Sequence, residues 1–336
     1  MKQAIRVAIL GAGYMAGVHA RNLQKVEGVS IAAVCDSDGE RAAQLAQACG
    51  GESVRPWTDD RAMLAAGGFD ALYLCVPPFA HDGQLEAAAR NGCHVFVEKP
   101  IALSVERAES MVEAVRAAGV VSQVGYHGRF GHAVRAVRRM MEDGAAGRPV
   151  LFDGRYDCNS LHGAWWRDRG KSGGQVFEQA IHVYDMALHL LGEAASISGH
   201  MANLCHSGVP GYTVEDNSVS AIRFRSGALG SIAATNCAVP MEWNFGFSVF
   251  FEHMTAHFRD PNHAEIIRTA GGHAERVTIG EDIDMYEAED RAFIAAIRGE
   301  APQTCPVSVG LAGLRLVDAV VRSADQGGMI VRLDEA

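Results

Sequence analysis

Six apolar-rich residues, Ile5-Arg6-Val7-Ala8-Ile9-Leu10, run without a break into Gly11-Ala12-Gly13-Tyr14-Met15-Ala16. The first stretch reads as a short strand, and the glycine-rich turn after it opens a helix from Met15 to about Val26. A second apolar strand, Val29 to Cys35, ends on Asp36. Strand, turn, helix and strand in that order make a βαβ unit, which commits the start of the chain to a parallel sheet covered by helices.

The spacing G-x-G-x-x-A gives each small residue a task. Gly11 permits the tight turn, Gly13 lets backbone approach a pyrophosphate, and Ala16 allows close helix–strand packing. The helix start adds amide donors and the positive end of its dipole. Asp36 stands where a carboxylate accepts from the adenosine ribose hydroxyls and repels the extra phosphate of NADP. NAD is therefore the expected cofactor, ahead of NADP. Arg41, several residues into the next helix, either favours NADP or is a solvated charge.

The same alternation continues. An Ala-rich helix runs from about Gly39 to Cys49, a strand from Ala71 to Val76, a helix from Ala80 to Arg90 and a strand from His94 to Val97. Ser104 reads as the N-cap of a helix reaching Ala118 and stopped by Gly119, and Val120 to Gly125 closes the series. Near-continuous apolar strands between helices mean burial on both sheet faces. Beyond Gly125 the pattern changes to a helix at Ala133 to Asp143 and longer strands, Val150 to Asp157, Ser218 to Arg225 and Ala228 to Ala234, with Gly227 in a hairpin turn. Phe247 to Glu252 and Thr255 to Arg259 read as another hairpin, and helices at Met285 to Ile297 and Ser308 to Ala324 finish the chain. The expected class is α/β: a parallel-sheet dinucleotide-binding domain, residues 1–124, then an α+β domain with a largely antiparallel sheet, residues 125–336.

With 336 residues, two such domains bury substantial cores without staples. A net charge of −10 argues against a nucleic-acid or anionic-membrane partner. Arg135, Arg138 and Arg139 read as a solvated helix face. The 8 cysteines contain no CxxC or Cys/His ligand spacing, and several sit in apolar runs, as Cys75 does, which suits small buried residues in a reducing compartment. Met1-Lys2-Gln3 leads straight into the first strand with no apolar signal core, and no apolar stretch approaches the ~20 residues of a membrane helix. A cytoplasmic location is expected.

Ligands of such sheets lie beyond the carboxyl ends of the strands, where three segments arrive. Pro77-Pro78-Phe79-Ala80-His81 leaves a loop to flank the nicotinamide ribose, with His81 either part of it or a helix cap. Glu98-Lys99-Pro100 follows the strand at Val97. Pro100 biases Lys99 to extended backbone, which aims an ammonium at the mouth of the sheet, where it can stabilise a forming alkoxide. Glu98 either pairs with Lys99 or holds the cofactor. The third segment is Gly125-Tyr126-His127-Gly128-Arg129, at the domain crossing.

A second constellation follows Gly173-Gly174. Phe177, Ile181, Tyr184, Leu188 and Leu191 recur at helical spacing as a packed stripe, and Glu178, His182, Asp185 and His189 form an ionisable stripe beside it. Such a face suits a cleft, with His182 as general acid/base and Glu178 one turn earlier orienting its ring. A solvated face and a metal site are the competing readings, although no other segment offers a further ligand, and no metal is expected.

Together these residues resemble the glucose–fructose oxidoreductase / inositol dehydrogenase (Gfo/Idh/MocA) family. The likeness covers nearly the whole chain: the Gly11 turn, Asp36, Asn91 to Pro100, Gly125 to Phe130, Trp165-Trp166-Arg167 before Ser172-Gly173-Gly174, Glu178 to Asp185, Glu215-Asp216-Asn217, and the hairpin Phe224 to Ala228. The resemblance implies a nicotinamide-binding Rossmann domain joined to a domain with an open, mostly antiparallel sheet that serves as the interface of a homodimer or homotetramer. It also implies oxidation of a secondary alcohol of a sugar or cyclitol, or reduction of the ketone, with Lys99 and His182 as the catalytic pair. Glu178 takes the place of a frequent aspartate, and Gly128 that of one of two frequent arginines. Cofactor contacts are expected from Gly11, Gly13, Tyr14, Met15, Asp36, Arg41, Cys75, Pro77, His81, Glu98 and Lys99. Substrate contacts are expected from Lys99, Tyr126, His127, Trp166, Arg167, Glu178 and His182, with an indole stacked on the sugar or, as the alternative, either tryptophan as plain core. The alternative activity is an NAD-assisted glycosidase or lyase that oxidises its sugar only transiently. A catalytically silent NAD sensor is a third reading, which retention of Lys99 and His182 disfavours.

Overall fold

A computed structural model describes residues 4–333. The reading of Met1-Lys2-Gln3 as a direct lead into the sheet falls outside them. Contacts divide the chain into two compact units, one holding the chain up to His127 together with Asp284–Leu311, the other Gly128–Ile283 together with the chain from Ala312.

The first unit is built on β1 (Ile5–Leu10), α1 (Tyr14–Leu23), β2 (Val29–Cys35), α2 (Gly39–Gly50), β3 (Arg55–Trp57), α3 (Asp60–Ala66), β4 (Ala71–Leu74), α4 (Gln84–Arg90), β5 (His94–Val97), α5 (Val105–Ala118) and β6 (Ser122–Val124). Its six strands pair in the order β3-β2-β1-β4-β5-β6, all in parallel. Buried Ile5, Val7, Ile9, Ala71, Tyr73 and Phe96 form the sheet side of the core, and Ala16, Ala20 and Leu23 the side from α1. The run expected as a helix from Ala80 gives only one tight turn, Pro78–Ala80. Gly83, at φ +97°, then resets the chain, and α4 starts at Gln84.

In the second unit α6 (His132–Glu142) precedes β7 (Pro149–Cys158), the short helices α7 (Ala164–Arg167) and α8 (Arg169–Ser172), a π-turn at Val176–Ala180, and α9 (Ile181–Leu191). There follow β8 (Ala194–Ala202), β9 (Asn217–Phe224), β10 (Leu229–Thr235), β11 (Trp243–Phe251), β12 (Met254–Asp260), β13 (His263–Arg268) and β14 (Glu275–Gly280). After α10 (Met285–Ile297) and α11 (Val307–Asp325), β15 (Val331–Arg332) pairs antiparallel with β8. The nine strands run β14-β13-β12-β11-β7-β10-β9-β8-β15. The sheet is antiparallel except at β10 and β7, which run parallel, Leu229 beside Leu151. Among the described residues no helix is long and apolar enough to cross a membrane.

Sequence patterning suggested a single crossing near residue 124. The structure instead assigns α10 to the first unit, because Phe293 and Ile294 complete the core laid down by β1, β4 and β5.

Candidate functional site

Gly11 ends β1 at φ +95°, and a Cβ there would lie 2.7 Å from the Cys75 carbonyl oxygen. The turn cannot back away, because the Gly11 N–H donates to Cys35 O and the Cys75 N–H to Leu10 O, both at 2.7 Å. Gly13 is the N-cap of α1, and a Cβ on it would meet nothing within 4 Å. No side chain caps this helix start and no acidic residue stands in its first turn, so its amides and dipole face open space lined by exposed Tyr14. These features fit a pyrophosphate. Asp36 braces the turn: one carboxylate oxygen accepts from the Ala12 N–H at 2.8 Å, the other from the Asp38 N–H at 2.9 Å and from Arg41 at 3.0 Å. Arg41 also pairs with Asp38 at 3.3 Å. It is therefore tethered to the carboxylate expected to meet the ribose, neither freely solvated nor standing alone for a phosphate.

Beyond β4, Pro77 precedes the one-turn helix, and buried His81 has Nδ1 2.6 Å from Ile101 O and Nε2 3.1 Å from Val76 O. The ring thus lies between two backbone carbonyls, and the neutral imidazole donates to one of them. His81 is corrected from a helix cap or cofactor contact to a tie between the loops that follow β4 and β5, and its burial lowers its pKa. Lys99 lies just past β5, joined to Pro100 by a cis peptide bond. Glu98 turns inward: it accepts from His19 Nε2 at 2.9 Å and from the Lys99 backbone N–H at 3.2 Å. Tyr126 is buried. His127 packs on Tyr286, ring centroids 4.5 Å apart, and burial pushes its pKa down to about 4.

In the second unit Gly173 and Gly174 have φ of +80° and +104°. Any side chain on Gly173 would strike Phe177, and one on Gly174 would strike the Glu215 carboxylate. That carboxylate accepts from the Val176 N–H at 2.8 Å and so holds the start of the helix that carries Glu178 and His182. Glu178, in the π-turn, accepts from Trp166 Nε1 at 2.9 Å. His182 is buried near Tyr156 and Phe245, ring centroids 6.5 and 6.0 Å away. Gln179 meets His162 Nε2 at 2.7 Å.

Three expectations change here. Trp166 is only 2% exposed, enclosed with Tyr212 and Val214, so it offers no free face to a sugar and acts instead as a donor to Glu178. Arg167 donates to Leu161 O at 2.7 Å and His162 O at 3.0 Å, which fixes a loop. The ionisable stripe does not line a cleft along its length. Asp185 is buried in a bidentate pair with Arg129, and burial, with Arg129 and Arg138 nearby, pushes the His189 pKa down to about 2. Glu215 and Arg129 were named from the sequence only as members of longer motifs and given no task, and His19 was not singled out. The signal for His19 was an ionisable residue at a position where α1 must face its own sheet.

The description of an oxidoreductase family with an NAD-binding Rossmann fold matches residues 5–126, and that of the GFO/IDH/MocA C-terminal domain matches residues 134–269. A scyllo-inositol 2-dehydrogenase (NAD(+)) of Bacillus subtilis (strain 168) is 34% identical over 246 residues, 70% of this chain and 68% of the relative. A D-glucoside 3-dehydrogenase of Escherichia coli (strain K12) is 29% identical over 96% of each chain. The solved structure of levoglucosan dehydrogenase in complex with NADH and levoglucosan shares the fold, with a TM-score of 0.90 at 21% identity over 99% of this chain and 100% of that one.

Proposed function

The chain belongs to the Gfo/Idh/MocA oxidoreductase family, and we propose that it is an NAD-dependent dehydrogenase acting on a secondary alcohol, or the corresponding ketone, of a sugar or cyclitol. One observation carries the reading furthest. The open start of α1, the Asp36-braced turn and Lys99 all stand at the carboxyl edge of one parallel sheet, where β1, β4 and β5 are consecutive neighbours. Two strand spacings, roughly 10 Å, separate the ends of β1 and β5. The relatives' names supply the substrate class.

Bound NAD supplies a hydride acceptor. The first unit provides the cofactor cradle at Gly11, Gly13 and Asp36. Lys99 hydrogen-bonds the reacting oxygen and lowers the cost of the alkoxide. His182 takes the hydroxyl proton as general base, and Glu178, held by the Trp166 indole, keeps the ring aimed. Apolar Leu151, Val219 and Leu229, exposed at alternate positions of β7, β9 and β10, support assembly of a homodimer or homotetramer through that sheet. We place the enzyme in the cytoplasm, in keeping with its free cysteines.

The test is a pair of substitutions assayed on inositols, hexoses and their keto forms. Lys99→Ala and His182→Ala should each lower turnover by roughly two orders of magnitude or more while NAD still binds. Near-normal turnover in either refutes the assignment. NADH should accumulate with product; product without NADH selects transient oxidation and elimination instead.

A further inference from the structure

We propose that His19 is a positioning residue for the Glu98–Lys99 segment, held as an imidazolium between two buried carboxylates. The inference rests on the role assigned above to Lys99. His19 lies on the inner face of α1, fully buried against Phe96 and Tyr73, ring centroids 4.7 and 5.3 Å away. Its Nδ1 is 2.8 Å from Asp290 Oδ1 and its Nε2 is 2.9 Å from Glu98 Oε1. An ionised carboxylate only accepts, and a neutral imidazole has a single N–H. Two such contacts on opposite nitrogens are both satisfied when both nitrogens carry protons, and both have charge-assisted length.

Each carboxylate is fixed from its far side. Asn22 donates to Asp290 Oδ2 at 3.2 Å, which sets the ring from behind. Glu98 uses its second oxygen for the Lys99 backbone N–H at 3.2 Å. It is also pressed against Gly125, where an added Cβ would stand 3.0 Å from the carboxylate atoms. The Glu98 side chain therefore has His19 on one side, Gly125 on the other and the Lys99 amide in its grip. A third carboxyl, Glu289, is fully buried, and neither of its oxygens has a hydrogen-bond partner. Burial and the adjacent anions Glu98 and Asp290 raise its pKa well above the usual range, so it stays neutral. The cluster then holds one cation against two anions, and Lys99 supplies the second cation. The other titratable groups facing it are Tyr73 on β4 and Cys75 just after it, Tyr286 on α10, and His127, which burial keeps neutral.

The same geometry admits one rival. Ligand atoms of His19, Glu98 and Glu289 lie within 4.8 Å of one another, close enough for a divalent cation in place of two protons. Nitrogen-15 NMR of ring-labelled histidine in the NAD-bound protein separates the two. At about pH 8, where an ordinary histidine is neutral, the signal lost in His19→Asn should show two protonated ring nitrogens. A pyridine-type nitrogen, or stoichiometric zinc or manganese in the purified protein by elemental analysis, overturns the proposal.

Asp290→Asn keeps the shape and carries both assignment and test should His19→Asn not fold. With scyllo-inositol and NAD it should lower kcat by roughly tenfold or more with little change in KM for NAD, and add a titration to the pH profile that Asp290→Glu removes. An unchanged profile overturns positioning. A wild-type enzyme that turns over none of the polyols sinks the dehydrogenase reading alone, and the NMR result still decides the state of His19.

Discussion

Asp185→Asn removes half of the charge pair that anchors the helix bearing His182. Arg129 Nε reaches the two Asp185 oxygens at 3.2 and 2.9 Å, and Nη2 reaches one at 2.7 Å. The side chains are 8% and 2% exposed. Arginine cannot shed its proton, so the variant leaves a cation in a nearly dry pocket with an amide against it. Losing one member of such a pair costs about 3–5 kcal/mol. The bond count agrees: two good bonds to a charged acceptor contribute about 1.5–3 kcal/mol each, and the remaining amide oxygen keeps part of one. The pair itself contributes far less, since burial opposes the Asp185 charge that Arg129 favours. Arg129→Met combined with Asp185→Leu should therefore cost at least about 2 kcal/mol less than the sum of the single changes. Urea unfolding followed by circular dichroism, with the transitions of the two units resolved, measures Asp185→Asn and the three variants of the cycle. A loss below about 1 kcal/mol for Asp185→Asn, the range of an exposed pair, or strict additivity in the cycle, would refute the reasoning.

Gly11→Ala places a methyl against the Cys75 carbonyl at a φ of +95°. The strain, about 1–3 kcal/mol, should weaken NAD binding by roughly tenfold, and calorimetric affinity within about twofold of wild type would disprove the fit. The pH dependence of the first unit has a definite sign. The folded-state pKa values of His19 and Glu289 are raised well above 6.5 and 4.5, by the carboxylates beside His19 and by the burial of Glu289. Their stabilisation is complete below those unfolded values and is lost as pH rises through the folded ones. Above about pH 8 the depressed His81, His94 and His127 are neutral in both states. The urea midpoint of the first unit should then fall as pH is raised further, and a rising midpoint would contradict the charge assignment.

What could be read in the sequence was local. The Ser104 hydroxyl accepts from the Arg107 N–H, and Gly119 ends the helix at φ +65°, both as the cap chemistry indicates. The strand His94–Val97 stood out because it is apolar on both faces. By contrast Arg55–Trp57 is a three-residue edge strand containing Pro56, too short and too polar to show a period. Pairing over distance was invisible: β10 lies parallel to β7 through residues 78 positions apart, Leu229 with Leu151 among them, and periodicity says nothing of partners. The same blindness affected the site. A titratable stripe on α9 suggested a cleft because the sequence does not show that Arg129 arrives to neutralise Asp185. His19 passed as part of a cofactor-binding helix because its partners sit 79 and 271 positions away.

The placement of Phe293 and Ile294 in the core of the first unit has a consequence for synthesis. A ribosome adding roughly 5–20 residues each second delivers the six parallel strands early. The aromatic pair Tyr73 and Phe96 then waits for Phe293, whose ring meets them at 5.6 and 5.8 Å. Throughout that interval the nascent sheet exposes an apolar face, and eight of the nine strands of the second sheet are made before the plug that covers it. A ribosome-stalled chain ending before α10 should therefore be the form that chaperones hold, and one extended past Ile297 the form they release.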